Sequence, residues 1–426
     1  MTPGGLMLSF LAMMSGGVPV AIAMCAASLI YAMATKNIPD FVVIHRMYGG
    51  VDSFPLLAVP FFIFAGNLMN SAGITNRIYN FALALVGWMK GGLGHVNVVG
   101  SMVFAGMSGT AIADAAGIGT IEIKAMKDHK YPTEFAVGVT AASSTVGPII
   151  PPSLPFVIYG MMAGVSIGQL FLAGVVPGLI MGLAMMSMVT YYAVKYKFGR
   201  DATFSWRRLG KTFLEALLAL MTPVLLIGGM TFGIFTPTEG AIAASMYALF
   251  LGLVWYRTLN WRMLVKISME TIETTAVVLF IVAAASIFGW LLTVTRVTDM
   301  VAEAVLGLTT DPMMFLLLAN LLMLFIGLFL EPVAAITLLV PILIPICQKL
   351  GIDLVHFGLV MVLNLMIGLL TPPVGTVLFV LARIAKLSFE RTVIAVAPWL
   401  LPLLATLALV TYVPAVVLWL PRMFYQ

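Results

Sequence analysis

Long apolar stretches, separated by short basic segments, dominate this sequence of 426 residues. Hydrophobic residues make up 62% of the chain and charged residues only 9%, which is too little charge to cover the surface of a water-soluble domain. Within a bilayer the backbone amides and carbonyls of such stretches need partners inside the protein, and an α-helix supplies them. The sequence therefore predicts an all-α polytopic membrane protein.

A pattern of glycine and proline residues occurs twice. In the first half FAGMSGTAIAD begins at Phe104 and GPIIPPS at Gly147; in the second half FIGLFLEPVAA begins at Phe325 and GLLTPPVG at Gly368. The F-x-G and G-x3-P-P elements keep a single offset of 221 residues. We interpret this as one duplicated unit, with a chance match among the many glycines and prolines of membrane helices as the alternative.

Two segments predict re-entrant helical hairpins, which enter and leave the bilayer on one side. In residues 94–127 only about a dozen residues precede the tip at 106–110, too few to cross roughly 30 Å of hydrocarbon at about 1.5 Å per residue. The equivalent segment is 312–349, with its tip at 327–332. Each hairpin precedes a span that its prolines interrupt, because proline removes an amide donor and clashes with the preceding turn. These two interrupted helices cover residues 133–166 and 354–385.

The richest basic loop, residues 195–211, is predicted to be cytoplasmic by the positive-inside rule. Counting spans outward from that loop gives the two repeats opposite orientations. The prediction is nine crossings plus two hairpins, with amphipathic stretches at 36–53, 74–90 and 297–308. The nine crossings are 3–34, with a bend near residues 16–19, 55–71, 133–166, 169–192, 213–233, 238–255, 274–295, 354–385 and 392–420.

This topology divides the chain into five parts. We expect scaffold helices and an arm in 1–93, the first transport repeat in 94–168, connecting and scaffold helices with a second arm in 169–311, the second transport repeat in 312–388, and a C-terminal helix in 389–426.

Four helix breaks in register indicate a shared purpose, because each stranded backbone group costs several kcal/mol in lipid. Unwound carbonyls and small hydroxyls can bind an alkali cation, and the N-terminal ends of half-helices can hold a carboxylate. For any single hydroxyl the alternative is a hydrogen bond to a carbonyl one turn back. The polar residues around the breaks are Ser108, Thr110, Ser143, Ser144 and Thr145 in the first repeat and Asn364, Thr371 and Thr376 in the second.

Charges inside apolar sequence are functional candidates by default. Asp114 follows the first tip and Glu331 lies in the second. Arg296 can hold a carboxylate in bidentate fashion, or it can extend to the interface with Asp299 as its partner. Asp114 can bind a cation or cargo, or cap a hairpin helix. Glu239, in TPTEG, favours the structural role of a carboxylate at a helix start.

Several other chemistries lack support. The sequence has no G-x4-G-K-[ST] phosphate loop, and its four histidines have no metal-ligand spacing, so an enzyme is not predicted. Cys25 and Cys347 lie far apart in apolar sequence and indicate no disulfide framework. The net charge of +5 is dispersed among short loops, which favours membrane topology over nucleic-acid binding. We expect the N-terminal apolar segment to be a retained helix and not a cleaved signal.

Three stretches resemble the large membrane subunit of tripartite ATP-independent periplasmic (TRAP) transporters: FAGMSGTAIADAAGIGTIEIKAM, TAASSTVGPIIPPS and GLLTPPVGTVLFV. The similarity extends over essentially the whole chain, including PFFIFAGNLMNSAGI from Pro60. The resemblance implies an inverted-repeat, elevator-type transporter in a bacterial inner membrane, driven by a sodium gradient. It also implies a small membrane subunit and a periplasmic substrate-binding protein as partners. Family cargoes include C4-dicarboxylates and sialic acids, and the chain is similar to the sialic-acid branch.

The resemblance further implies where ligands bind. Two or more Na⁺ sites are expected at the breaks, with unequal coordination because the first tip reads MSGT and the second LFLE. Asp114, Arg296 and Ser153 are the candidate substrate-binding residues. The candidate cation-binding residues are Gly106, Ser108, Thr110, Ser144 and Gly147 in one half and Gly327, Glu331, Thr371, Val374 and Thr376 in the other.

The function that we predict is sodium-coupled uptake of a small organic anion delivered by a periplasmic binding protein. One alternative is a proton-coupled porter that uses Asp114 or Glu331 as the carrier. Another is a membrane scaffold that binds partner subunits and transports nothing.

Overall fold

The structure, a computed structural model, describes residues 3–35 and 38–425, with all their side chains except those of Pro3, Asp40, Met107 and Ser108. These residues form helices joined by short turns, which confirms the all-helical prediction. The helices of the first half are α1 (Pro3–Ser15), α2 (Val20–Thr35), α3 (Asp40–Val51), α4 (Ala58–Ser71), α5 (Ile74–Val86), α6 (Gly92–Ser108), α7 (Ala111–Ala116), α8 (Ile118–Asp128), α9 (Thr133–Ser144) and α10 (Leu154–Ala163). The remaining helices are α11 (Ile167–Lys195), α12 (Trp206–Thr231), α13 (Pro237–Phe250), α14 (Trp261–Val294), α15 (Val297–Leu308), α16 (Pro312–Gly327), α17 (Pro332–Lys349), α18 (Leu354–Gly368), α19 (Thr376–Ala385), α20 (Phe389–Val396), α21 (Leu400–Tyr412) and α22 (Pro414–Phe424).

The helix bounds of the two halves agree at the sequence offset, which confirms the duplication. Shifted by 221 residues, α7 and α8 together fall on α17, α9 falls on α18, and α10 falls on α19 to within about a residue. The amphipathic α5 likewise falls on α15. Each interrupted helix breaks at its proline pair, and both Pro-Pro bonds, at Pro151–Pro152 and Pro372–Pro373, are cis.

Packing between the repeats is reciprocal. The second half of the first interrupted helix, α10, packs against α17 of the second repeat, and α19 packs against α7 of the first. Such an exchange, in which each unit presents the same surface to the other, is the pattern of a two-fold axis. We call α6, α7 and α8 the first helix pair, with α7 and α8 as its second arm, and α16 and α17 the second helix pair.

The described residues contain seven helical segments that are long and apolar enough to cross a membrane. They are Phe54–Ser71, Ile167–Lys195, Trp206–Thr231, Pro237–Trp255, Trp261–Val294, Pro332–Lys349 and Phe389–Tyr412. The chain is therefore a multi-span membrane protein. The predicted bend near residues 16–19 separates α1 from α2, so neither of these two helices reaches that length.

Two predicted spans have other bounds in the structure. The span predicted at 274–295 is part of α14, which runs unbroken through 34 residues from Trp261. Asn260 starts this helix by accepting a hydrogen bond from the amide of Met263 (2.9 Å), and charged residues one turn apart continue it. The span predicted at 392–420 consists of α20, α21 and α22, with a break at Val413 before Pro414, which cannot donate to the helix.

The helices form two packing groups, which are joined by the packing of α6 on α4, α5 and α12. α14 packs against α2, α3 and α4, while α13 packs against α4, and α12 against α5. In the other group α11 packs against α6, α18, α21 and α22. α17 contacts both groups, since it packs on α14 and α15 as well as on α10 and α18.

Candidate cation and anion sites at the helix breaks

The first tip is a tight turn between α6 and α7. Gly109 has a left-handed backbone with φ of 64°, which glycine adopts without the steric cost that a side chain adds. Thr110 then caps α7, its hydroxyl accepting a hydrogen bond from the amide of Ala113 (3.3 Å). Gly106 lies against Pro223 of α12, at a point where a Cβ would come within 2.9 Å of the proline ring. The side chain of Ser108, a predicted cation ligand, lies outside the described part of the structure.

Oxygen atoms from three segments surround Gly147 in the first interrupted helix. A Cβ on this glycine would lie 3.2 Å from the carbonyl oxygen of Ser144, 3.5 Å from that of Thr110 and 3.7 Å from Oδ2 of Asp114. Two carbonyls and a carboxylate are the hard oxygen ligands that a small cation prefers. The structure thus brings four sequence-predicted residues of the first repeat together, including Asp114, which was predicted for the substrate.

A buried network of hydrogen bonds orients Asp114. Ser101 donates to Oδ1 of Asp114 (3.2 Å), its hydroxyl oxygen lies 3.1 Å from that of Ser143, and Ser143 donates to Oδ1 of Asn97 (2.7 Å). The second carboxylate oxygen, Oδ2, has no hydrogen-bond partner among the described residues although it is buried. The network therefore fixes the carboxylate and leaves one oxygen, the one beside Gly147, available to a ligand.

The second repeat brings its two breaks into direct backbone contact. A Cβ on Gly368 would come within 2.7 Å of the carbonyl oxygen of Gly327, so Gly368 has no room for a side chain, and a Cβ on Gly327 would be tight against Cα of Gly368 (3.2 Å). The amide of Val374 donates to the carbonyl of Leu328 (3.2 Å), which ties the interrupted helix to the tip. A small cavity, the repeat-2 cavity, opens beside this contact. Its lining residues are Gly327, Leu330, Glu331, Gly368, Leu369, Val374, Gly375 and Thr376.

Four of the five cation ligands predicted for the second repeat line this cavity. The exception is Thr371, whose hydroxyl donates to the carbonyl of Gly368 (2.8 Å) at its edge. The hydroxyl of Thr376 is buried and has no hydrogen-bond partner among the described residues. An oxygen in this condition is a candidate ligand, because an unsatisfied buried hydroxyl is costly.

A larger cavity, the central cavity, lies between the two repeats. Its volume is about 40 Å³, and its walls are Thr110, Ala111, Ile112, Pro148, Leu154 and Pro155 from the first repeat and Glu331, Pro332, Val333, Met366 and Leu369 from the second. Four lining residues of one repeat are equivalent to four of the other at the 221-residue offset, so the two-fold axis passes through this cavity. The helices α10 and α17 both begin at its wall, and the positive ends of helices favour a bound anion.

Other predicted residues lie apart from the central cavity. Ser153 is buried and caps α10 through the amide of Phe156 (3.3 Å), one residue before the cavity wall. Arg296 is exposed at the start of α15, with a left-handed φ of 57°. Ion pairs within residues 3–35 and 38–425 involve other residues, so Arg296 is not paired with Asp299. Glu239 forms a capping box with Thr236, which confirms its structural role.

The hydroxyls of Ser144 and Thr145 form the hydrogen bonds to carbonyls one turn back that were the alternative to cation binding. They donate to the carbonyls of Ala141 (2.8 Å) and Ala142 (2.6 Å), respectively. At Ser144 it is the carbonyl oxygen, not the hydroxyl, that faces Gly147.

Sequence reasoning missed Asn97 and Asn320, which form hydrogen bonds to polar residues beside the breaks. In the second repeat Asn364 donates to Oδ1 of Asn320 (2.8 Å), and Asn320 donates to Thr411 (3.0 Å). Asn364 is the repeat equivalent of Ser143, which bonds to Asn97. A search for polar residues at equivalent positions in each repeat would have paired Ser143 with Asn364, but their asparagine partners are not equivalent. Sequence reasoning also missed Glu122, a buried carboxyl on α8.

Comparison with known proteins agrees with this architecture. Residues 7–416 match the family model for the tripartite ATP-independent periplasmic transporter, DctM component. The sialic acid TRAP transporter large permease protein SiaM of Vibrio cholerae is 46% identical over 99% of this chain and 98% of its own length. The sialic acid permease SiaT of Haemophilus influenzae is 40% identical, covering 98% of this chain and 68% of its own length. The C4-dicarboxylate large permease DctM of Rhodobacter capsulatus is 35% identical over 97% of both chains.

Two solved transporter structures share the fold at low sequence identity. The YdaH transporter of Alcanivorax borkumensis superimposes with a TM-score of 0.59 at 16% identity, covering 87% of this chain and 86% of its own. MtrF of Neisseria gonorrhoeae also gives a TM-score of 0.59, at 13% identity, covering 92% of this chain and 94% of its own. The chain therefore belongs to the tripartite ATP-independent periplasmic transporter family as its DctM component, a multi-pass permease for organic anions in the bacterial inner membrane, and it is not an enzyme.

Proposed function

We propose that this permease couples the uptake of a small organic anion to sodium ions bound at the helix breaks, and that the anion binds in the central cavity. The single observation that carries the proposal is the position of Glu331, which lines both the central cavity and the repeat-2 cavity. A single carboxylate therefore lines both the proposed anion site and the proposed second cation site.

The first sodium site lies at Gly147, between the carbonyls of Thr110 and Ser144 and the free oxygen of Asp114. The second lies in the repeat-2 cavity, among Glu331, Thr376 and the backbone of the unwound segment, with Thr371 at its edge. The two sites are unequal because Asp114 has Ala335 as its repeat equivalent, while Glu331 has Thr110. Each site thus has one carboxylate, supplied from a different position of the fold.

Coupling follows from the charge of Glu331. Without a cation, a negative carboxylate at the wall of the central cavity repels an anion by an energy on the order of 3 kcal/mol at about 5 Å and an effective dielectric constant near 20. A sodium ion in the repeat-2 cavity attracts that carboxylate and neutralises it. Anion binding then depends on prior cation binding, as symport requires.

The two helix pairs act as re-entrant hairpins in this proposal, and they move with the interrupted helices as one elevator unit. Reciprocal packing of α10 on α17 and of α19 on α7 supports a single rigid body. The helices α11, α21 and α22 pack on this unit, so we assign them to it as well. The stationary scaffold then consists of α1–α5 and α12–α15, with α14 as its longest helix.

The cargo that we favour is a sialic acid, with a C4-dicarboxylate as the alternative. Support comes from the 46% identity to a sialic acid permease over almost the whole chain. Both cargoes carry a carboxylate that suits the N-terminal ends of α10 and α17. The partners in this proposal are a periplasmic substrate-binding protein, which delivers the anion, and a small membrane subunit.

A proton-coupled porter is the second candidate, and one observation favours it: the unpartnered, buried Oδ2 of Asp114 can hold a proton in place of a sodium ion. Reconstitution in liposomes with both partners separates the candidates. We expect N-acetylneuraminate uptake to require an inward sodium gradient and to persist when the proton gradient is abolished. Uptake that follows a proton gradient without sodium would establish the porter. Absence of uptake with all partners present would favour the third hypothesis, a membrane protein that binds partner subunits and transports nothing.

A further inference from the structure

Glu122 on α8 is a buried carboxyl group without a partner. Its side chain is 1% exposed, and neither carboxylate oxygen has a hydrogen-bond partner among the described residues. Gly100 of α6 makes room for it, because a Cβ there would come within 2.5 Å of Oε1 of Glu122. The carboxyl is thus enclosed between the two arms of the first helix pair.

The duplication supplies an internal control for this position. The repeat equivalent of Glu122 is Leu343 on α17, which is also buried. The fold therefore accepts a leucine at this point of the second arm. Since packing does not require a carboxyl here, its presence in the first repeat has another cause.

Among the described residues no cation pairs with Glu122, and the guanidinium of Arg77 on α5 is directed instead to the carbonyl of Gly73 (3.0 Å) and the ring of Tyr256. The helices packed against α8 are α5, α6, α7 and α9. The titratable groups whose charge reaches Glu122 are Asp114 on α7 and Tyr79 on α5, and neither can become positive. On α6, His95 is directed to Thr190 (3.4 Å), and Glu134 on α9 is exposed.

The lysines of α8 itself also point away from Glu122. Lys124 is exposed, and the ammonium of Lys127 donates to the carbonyl of Ala385 (2.7 Å). An ionised carboxylate in such surroundings costs several kcal/mol.

We propose that Glu122 is a proton-binding site, separate from the two sodium sites, and that it holds its proton in the arrangement seen here. α8 packs against α5 of the scaffold as well as against α6 and α9. If the first helix pair moves as the proposed function requires, α8 separates from α5, and water reaches the carboxyl of Glu122. The proton is then released, so movement of the helix pair and protonation of Glu122 are linked.

Infrared spectroscopy of the purified full-length permease tests the protonated state directly. We expect the spectrum of the wild type at neutral pH to contain a protonated-carboxyl band that is absent from Glu122→Gln. The matched control Glu134→Gln removes an exposed carboxylate and should leave that band unchanged. An identical protonated-carboxyl band in the wild type and Glu122→Gln would overturn the proposal.

Thermal unfolding against pH gives an independent measurement. Since folding keeps Glu122 neutral, its contribution to stability is present in acid and is lost as the pH rises through its folded-state titration. Wild type should therefore lose more stability in alkaline buffer than Glu122→Gln does, and Glu122→Leu, which reproduces the second repeat, should behave like Glu122→Gln. Parallel pH profiles of all three proteins would contradict a proton at Glu122.

The linkage to movement is tested by sodium-driven uptake into liposomes at varied pH. We expect wild-type uptake to change several-fold with pH and Glu122→Gln uptake to remain flat while still requiring sodium. A pH profile that Glu122→Gln shares with the wild type would refute the linkage. Loss of the sodium requirement in both proteins would instead refute the proposed function, so the two failures are distinguishable.

Discussion

Thr110 and Glu331 occupy the same position of the two repeats, at the N-caps of α7 and α17, and both line the central cavity. The threonine caps its helix through a neutral hydroxyl, whereas the glutamate brings a negative charge to the equivalent wall. Symmetry in the backbone is therefore combined with asymmetry in charge. In the proposed function, this combination makes the two halves of the cavity unequal towards a bound cation.

Glu331→Gln should weaken the dependence of anion binding on sodium. Removing the carboxylate removes the repulsion of the anion in sodium-free buffer, so we expect affinity for N-acetylneuraminate without sodium to rise about a hundredfold, which corresponds to roughly 3 kcal/mol. Calorimetric titration with and without sodium measures the change. Glu303→Gln, on the exposed face of α15, is the matched control. Unchanged binding in sodium-free buffer would argue against an electrostatic role for Glu331.

Asp114→Asn should weaken the first sodium site without unfolding the protein. The amide can still accept the hydrogen bond from Ser101, but it lacks the charge at Gly147. We expect the sodium concentration for half-maximal uptake to rise at least about tenfold. Asp128→Asn, on the exposed end of the same helix pair, should leave it unchanged. Equal sodium dependence in both variants would exclude Asp114 as a ligand.

Gly368→Ala should force the two breaks of the second repeat apart. Its methyl group would meet three backbone atoms of Gly327 at 2.7–2.8 Å, and backbone cannot move aside as a flexible side chain can. We expect a loss of stability of about 1–3 kcal/mol, seen as a lower unfolding temperature in detergent. Gly307→Ala in α15, where a methyl group meets open space, should be neutral or stabilising. A Gly368→Ala protein as stable as the wild type would show that this contact is not tight.

Arg296→Ala tests the remaining sequence-predicted anchor for the anion. Because the guanidinium is exposed, its removal should leave thermal stability unchanged. If Arg296 binds the carboxylate at another stage of the transport cycle, uptake should fall about tenfold, and Arg296→Lys should restore only part of it. Asp299→Asn is the control for an interfacial role. Transport by Arg296→Ala at the wild-type rate would end its assignment to the cargo.

The sequence could predict the helix breaks because the chemistry of glycine and proline is local. Pro152 and Pro373 interrupt their helices wherever the rest of the chain lies, and a repeated offset needs no structure to be seen. The partners of the breaks could not be found in the same way. Asn97 and Ser143 meet because α6 packs against α9, and that contact depends on the tertiary arrangement of residues far apart in sequence.

Charge was the least reliable signal in the sequence. Arg296 stands in apolar sequence, which left open an anchor for the anion or an interfacial arginine, and the structure exposes it in a left-handed turn between α14 and α15. Glu122 stands near Lys124 and Lys127 in sequence and is not among the candidate residues, yet it is buried. In both cases the direction of the side chain from its helix, which the sequence pattern does not give, decides the environment.

The unbroken α14 makes the two halves of the scaffold mechanically different. Shifted by the repeat offset, the residues of α14 correspond to α3, a connection and α4. One repeat therefore has two helices with a break between them where the other has a continuous helix of about 50 Å. A broken helix bends more easily than a continuous one. If the proposed elevator mechanism holds, the inward- and outward-facing states should therefore differ in elastic energy even before any ion gradient is applied.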